Sequence, residues 1–371
     1  MGILAAAALA GGLVSADRAA RLASGPLTAA RLEIQRKKAP PAPAALQARL
    51  NELAAAYGED VGIAVTDVAT GWTAGVDQAR AYPQQSVSKL WVAIAVMKAA
   101  DDGRLDPDGT VTLTDADRSV FFQPVAYRIG AKGYATPISD LLRRALVESD
   151  NAANDKLMRE LGGPDGVAAT LRDMGLTGVK VGAYERDLQA STAGLVWQAD
   201  YGVGWNFQAA REALPMATRQ AAMDAYLADP LDGVAPAEIT TALAALARGE
   251  LLSAASTERL LGLMAQARTG PRRLKGGLPS GWSIAHKTGT GQDFRGASVG
   301  INDVGLITAP DGHVYAVAVM MRRTRQSVPA RLAFMQSVTR AVADEWVRDR
   351  ALQALRRGGG MRSTSMVAGR A

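Results

Sequence analysis

There is no cysteine anywhere in the 371 residues, so disulfides and thiolate zinc sites are excluded. Histidine is nearly absent as well. His286 and His313 stand alone, too far apart for a short ligand motif, and neither a metal nor a cofactor is expected. No internal repeat occurs. No apolar run reaches the ~20 residues that a membrane-spanning helix requires. A built-in basic groove is missing too, although the net charge is +6. The excess sits at the two ends. Arg18, Arg21, Arg31, Arg36, Lys37 and Lys38 outnumber Asp17 and Glu33, and the tail from Arg350 onward carries Arg350, Arg356, Arg357, Arg362 and Arg370 and no acid. The body between is slightly acidic, and nucleic acid is not an expected partner.

What remains is an ordinary globular composition, 48% hydrophobic and 21% charged, with ample length for a core. The opening MGILAAAALAGGLVSA reads as the apolar part of a secretory signal, with Val14-Ser15-Ala16 as a small-residue cleavage site, although no Lys or Arg precedes it. Export to the periplasm or medium follows, with no stable membrane insertion after processing. The myristoylation pattern fails at Ala6. Residues 17–43, ending KKAPPAP, read as a basic, proline-punctuated linker.

Beyond it, ALQARLNELAAAY has helical spacing and Gly58 as its stop. VGIAVTDVATGWTAGVD alternates around a turn at Thr70-Gly71 and predicts a hairpin. From Ser86 to about Leu260 the pattern is helical, with little strand signal. Strands return in VGINDVGLITAP and HVYAVAVMM, joined at Pro310-Asp311-Gly312, and a long helix from Ala330 to Arg357 follows. The tail from GGGMRST onward lacks periodicity and is expected to be disordered. Strands at both ends around a helical block predict one antiparallel sheet with terminal helices on it, an inserted all-helical lobe, and a cleft between them.

The chemistry concentrates near QQSVSKLWVAIAVMKAA. Leu90 to Met97 is apolar throughout, so this helix is buried and Lys89 at its first turn sits in low dielectric. Ser86, three residues earlier, shares its face. The plain alternative is an N-cap serine and a snorkelling lysine. Ser149-Asp150-Asn151 alone reads as a capping turn, and Lys287-Thr288-Gly289-Thr290 as a turn after an edge strand. Together, S-x-x-K, S-D-N and K-T-G in this order form the set shared by class A β-lactamases and penicillin-binding proteins.

The sequence therefore resembles a class A serine β-lactamase over residues 44–349, most specifically in TGPRRLKGGLPSGWSIAHKTGT. The resemblance implies an α+β fold: a five-stranded antiparallel sheet flanked by N- and C-terminal helices, with the helical lobe inserted and the active site between. It implies a sheet lobe at about 44–83 and 270–349 and a helical lobe at about 84–269; the signal peptide read at 1–16, the linker at 17–43 and the basic tail at 350–371 flank them. Hydrolysis of β-lactam antibiotics by a monomer is expected. Ser86 would be the nucleophile, Lys89 would share in its deprotonation, and Ser149 would pass a proton to the leaving nitrogen. Asn151, Lys287, Thr288, Thr290 and Arg273 would bind substrate, with the Ser86 and Thr290 amides as oxyanion hole and Phe122 as an aromatic wall. VGAYERDLQA resembles the Ω-loop and places Glu185 as the base for deacylation.

Several positions depart from the family pattern. Gln189 replaces the asparagine that helps hold the hydrolytic water, Asp155 the asparagine that braces the Ω-loop, and Arg186 the proline after the glutamate. With Gln85, Asn302 and Asp303 these suggest a divergent branch. About 30 extra residues between Gln189 and Leu251 are read as padding of the helical lobe rather than a change in the cleft edge. Gly296-Ala297-Ser298-Val299-Gly300 fits G-x-S-x-G, but a strand pattern follows where that motif needs a helix. The alternatives are a D,D-peptidase or a β-lactam sensor that stays acylated; Glu185 argues against the first.

Overall fold

The computed structural model describes residues 39–360; the expected signal peptide, most of the linker and the last tail residues lie outside the described residues. Helix α1 (Ala44–Tyr57) ends at Gly58, whose φ of 73° is the left-handed conformation that a helix stop requires. The chain then forms β1 (Val61–Asp67) and β2 (Thr73–Val76), the expected hairpin. Far along the sequence, β7 (Ser283–Gly289), β8 (Asp293–Phe294), β9 (Ala297–Thr308) and β10 (Val314–Thr324) complete the sheet. Its order is β2-β1-β10-β9-β7, all antiparallel, and the two-residue β8 adds a short sixth strand against β9.

Period-two alternation sends the residues of β10 into two cores. Val317, Val319 and Met321 pack with Leu46 and Leu50 of α1 and with Met335 and Val338 of α11 (Val328–Gly360). Ala316, Ala318 and Met320 face the helical lobe with Ile239 and Leu243 of a helix spanning Pro236–Ala247. Because both faces are covered, β1 is buried at every residue, and the strands read as apolar runs.

The helical lobe is built around α2 (Lys89–Asp101), every residue of which from Lys89 to Met97 is buried. Around it run α3 (Ile138–Arg143), α4 (Asn151–Glu160), α5 (Gly163–Asp173), α6 (Glu185–Ala193), α7 (Asn206–Ala213), α8 (Met216–Ala228), α9 (Pro236–Ala247) and α10 (Ala254–Ala265).

Two features differ from the sequence reading. The lobe contains β4 (Thr110–Leu113) paired with β5 (Tyr134–Pro137), and β3 (Tyr82–Pro83) pairs with β6 (Gly233–Val234) at its border. These strands of two to four residues are too short to show alternation. Helix α11 also continues through Gly358–Gly360, which the sequence assigns to the irregular tail. Adding a residue to an existing helix extends a formed ladder, which glycine weakens by only about 1 kcal/mol each.

Candidate active site

A cleft of about 600 Å³ between the lobes is lined by Ser86, Ser149, Asn151, Glu185, Arg273, Thr288 and Thr290, with Phe122 at its mouth. The sequence-predicted residues thus converge from six separate segments. Ser86 lies in a 3₁₀ turn over Gln85–Ser88 that runs into α2. It is the only residue from Tyr82 to Met97 that is not buried. Neither plain alternative survives. Ser86 makes no capping bond, and Lys89 has no exposed surface.

Lys89 Nζ donates to Ser86 Oγ at 2.8 Å and to Glu185 Oε2 at 2.8 Å. Glu185 is the first residue of α6, and its backbone N–H donates to Asp155 Oδ1 at 2.7 Å. Asp155 therefore braces the loop as the usual asparagine is expected to. Burial works to raise the Glu185 carboxyl, but the Lys89 charge and the Lys89 and Gln189 hydrogen bonds hold it below the usual carboxylate range. Asp155 lacks such a cation. Burial, with Glu185 alongside, pushes it up to about 6.

Ser149 follows a π-turn at Arg144–Glu148 and has φ 66°, a left-handed conformation uncommon outside glycine and asparagine. Its Oγ accepts from Lys287 Nζ at 2.9 Å. Asp150 accepts from the backbone of Ala153 and Val125, which fixes the turn so that Asn151 also faces the cleft. Asn151 Nδ2 donates to the Val120 carbonyl at 2.8 Å. Burial, then the charge of Lys89, hold Lys287 well below its ordinary range.

Strand β7 is pressed onto the Ser86 turn at Gly289. A Cβ there would lie 2.3 Å from the Gln84 carbonyl oxygen, so only glycine fits. Asn302 ties the same junction, donating to the Pro83 and Gln84 carbonyls at 2.7 and 3.0 Å. Arg273 lines the cleft, donating to the carbonyls of Gly289 and Asn302 and to Thr290 Oγ1. Thr288 Oγ1 bonds Thr269 Oγ1 at 2.7 Å.

Gln189 is held by a directional chain. Its Nε2 donates to Glu185 Oε1 at 3.0 Å and to Gln85 Oε1 at 2.7 Å, while its Oε1 accepts from Gln292 Nε2 at 2.9 Å. Gln85 Nε2 donates to Tyr226 Oη at 2.6 Å, and Tyr226 donates to Asp232 Oδ1 at 2.9 Å. Burial, then Asp232, raise the Tyr226 phenol well above its usual value, so it stays a donor. Sequence reading named Gln85 and Gln189 but missed Tyr226, Asp232 and Gln292. Nothing in their local pattern distinguishes them from surface polar residues.

The segment beyond Gln189 is not padding, contrary to the sequence reading. Phe207 of α7 is buried edge-on beneath Phe121, and Arg211 of the same helix lines the cleft. Two amphipathic turns suffice to carry α7 to the rim, and sequence alone does not say where their faces point. Arg186, in place of proline, donates to the Ala116 and Arg118 carbonyls and lies over the Tyr184 and Trp197 rings. Ser298 of the G-x-S-x-G sequence is buried inside β9 and bonds the Asp293 carboxylate, so it is no nucleophile elbow. His286 and His313 pair with Asp303 and Asp67, and no cluster able to hold a metal occurs among the described residues.

The sequence profile of the Beta-lactamase enzyme family matches residues 45–346. PER-1, an extended-spectrum β-lactamase of Pseudomonas aeruginosa, is 29% identical over 259 residues, 68% of this chain and 73% of its own. The β-lactamase VEB-1 of the same organism is 26% identical over 283 residues, 76% of this chain and 84% of its own. Among solved structures, a variant of the last common ancestor of Gram-negative class A β-lactamases superimposes with a TM-score of 0.65 at 28% identity, covering 82% of this chain and 100% of that one. Family, relatives and fold agree with the cleft: the chain belongs to the β-lactamase enzyme family, as a divergent class A serine β-lactamase that hydrolyses β-lactams.

Proposed function

We propose that hydrolysis runs through an acyl-enzyme on Ser86 that Glu185 helps water to release. The observation that carries this reading is Lys89 Nζ, bonded to Ser86 Oγ and Glu185 Oε2 at once. Ser86 Oγ attacks the lactam carbonyl carbon as its proton passes to the Lys89–Glu185 pair. The backbone N–H groups of Ser86 and Thr290 receive the developing oxyanion. The C–N bond breaks, and the ring nitrogen takes a proton from Ser149 Oγ, which Lys287 faces. Ser149 is refilled by the proton that the Lys89–Glu185 pair took from Ser86, so Glu185 is ionised again. Lys287, Thr288 and Arg273 present the positive end of the cleft to the substrate carboxylate, and Asn151 meets the acylamino group.

In the second half, a water molecule gives its proton to Glu185 and attacks the ester carbonyl. The ester C–O bond breaks, and Ser86 regains its proton. Glu185 suits this role because its carboxylate, held below the usual range, is ionised at neutral pH. Gln189 presents Nε2 to Glu185, which leaves that carboxylate an acceptor. The N-terminal apolar stretch supports export as the setting.

Nitrocefin hydrolysis by purified protein, with mass spectrometry during turnover, tests the reading. Rapid return to the unmodified mass is expected. An adduct that persists after penicillin exposure would move the assignment to a peptidase or a sensor.

A further inference from the structure

The cleft has a further cation, Arg211, that the proposed chemistry does not use. Arg211 sits on α7, half-buried, and lines the same cleft as Ser86, Glu185 and Gln189. Its Nη2 donates to the carbonyl oxygen of Asp293 at 2.6 Å, which seats the guanidinium at β8 beside Gly291 and Gln292. It makes no ion pair among the described residues.

The carboxylates that line the cleft are all engaged elsewhere. Glu148 pairs with Arg143 at 2.7 Å, Glu185 with Lys89, and the Asp293 side chain accepts from Ser298 Oγ. Burial, then the neighbouring Arg219, make the Arg211 charge costly, and Glu212 and Asp293 offset this only in part. A half-buried guanidinium without a carboxylate partner favours an anion that brings one. Lys287 and Arg273 form one positive pole near Thr288 and Thr290, and Arg211 forms another beside β8, with Ser86 in the same cleft.

We infer that Arg211 is a specificity residue that selects β-lactams bearing a second anionic group on the acylamino arm. This rests on the reading of Ser86 as the nucleophile. The ring carboxylate occupies the Lys287 pole, and a carboxylate on the arm reaches the Arg211 pole.

The experiment compares matched substrates on the full chain. One pair is benzylpenicillin and its α-carboxy analogue. The other is an oxyimino cephalosporin whose arm ends in a carboxylate and one whose arm ends in a methyl group. The readout is the ratio of kcat/KM within each pair, with acylation rates by mass spectrometry as a second readout if turnover is slow. In Arg211→Ala the ratio falls in favour of the neutral substrate by about tenfold in at least one pair. Arg211→Glu lowers it further, Arg211→Lys restores part of it, and added salt shrinks the wild-type preference. Arg340→Ala, which removes an exposed charge on α11, leaves the ratio in place. An unchanged ratio in both pairs for Arg211→Ala and Arg211→Glu overturns the inference while hydrolysis of the neutral substrates stands. Failure of every substrate to acylate Ser86 overturns the underlying reading instead.

Discussion

Lys89 and Glu185 form an ion pair at 2.8 Å with both side chains almost wholly out of water. Taking two charges from water is costly, and removing one partner strands the other. The pair persists because each charge has further partners: Ser86 Oγ for the ammonium, and Gln189 for the carboxylate. An arrangement that holds an ionised base beside a serine is what a two-step acyl transfer needs.

Glu185→Ala is expected to trap the acyl-enzyme. Deacylation should slow by about 10²–10⁴-fold, the usual contribution of a positioned base. Intact-protein mass spectrometry would show the penicilloyl adduct accumulating. Turnover equal to wild type would remove Glu185 from the mechanism.

The pH profile of kcat/KM should be a wide bell on the acid side. Glu185 acts ionised and lies below the ordinary carboxylate range, so activity should hold until pH drops beneath that range. Lys287 acts protonated and lies well below an ordinary lysine, so activity should fall early as pH rises. Lys287→Arg should abolish that alkaline limb, because guanidinium does not lose its proton there. An alkaline limb unmoved in this variant would assign it to another group.

Tyr226→Phe breaks the chain that orients Gln189. Gln85 Nε2 loses its acceptor and Asp232 a donor, at a stability cost of about 1–3 kcal/mol. The Gln85 amide is then free to turn, and only Gln292 Nε2, still bonded to Gln189 Oε1, keeps the Gln189 nitrogen toward Glu185. Deacylation should slow with its acid limb moved upward, while acylation changes little. Equal losses in the two steps would point to a general packing defect.

Asp155→Asn should change how stability depends on pH. Asp155 titrates near 6 when folded against 3.8 as its ordinary value, so the folded state binds the extra proton between these values. Stability from this group is therefore fully present below about pH 4 and lost as pH rises through 6. The asparagine carries no such dependence. The stability of wild type relative to Asp155→Asn, read from denaturant midpoints, should fall between pH 4 and 7. A difference constant across that range would mean that folding does not raise Asp155 above its ordinary value.

Much of the architecture was legible in the chain because it rests on local periodicity. Strands β1, β9 and β10 are long enough to show two-residue alternation or an apolar run, and α2 betrays its burial by being apolar on every face. Ser86 and Lys89 lie one helical turn apart, so their meeting follows from helix geometry alone. Ser149, Glu185 and Lys287 had no local signal strong enough to stand alone, and they became readable only as a set with a known order.

The tertiary structure decided the rest. Gly289 against the Gln84 carbonyl, Tyr226 and Asp232 behind Gln85, and Arg211 on the cleft rim depend on contacts between segments far apart in sequence. Periodicity says which face of a helix is apolar, but not which cavity its polar face reaches. The sequence by itself determined the sheet, the buried helix and which residues are candidates for the reacting groups. Only packing determined how the glutamines are oriented and which additional cation the substrate would meet, because hydrogen-bond direction and cleft shape are set by neighbours that local pattern does not contain.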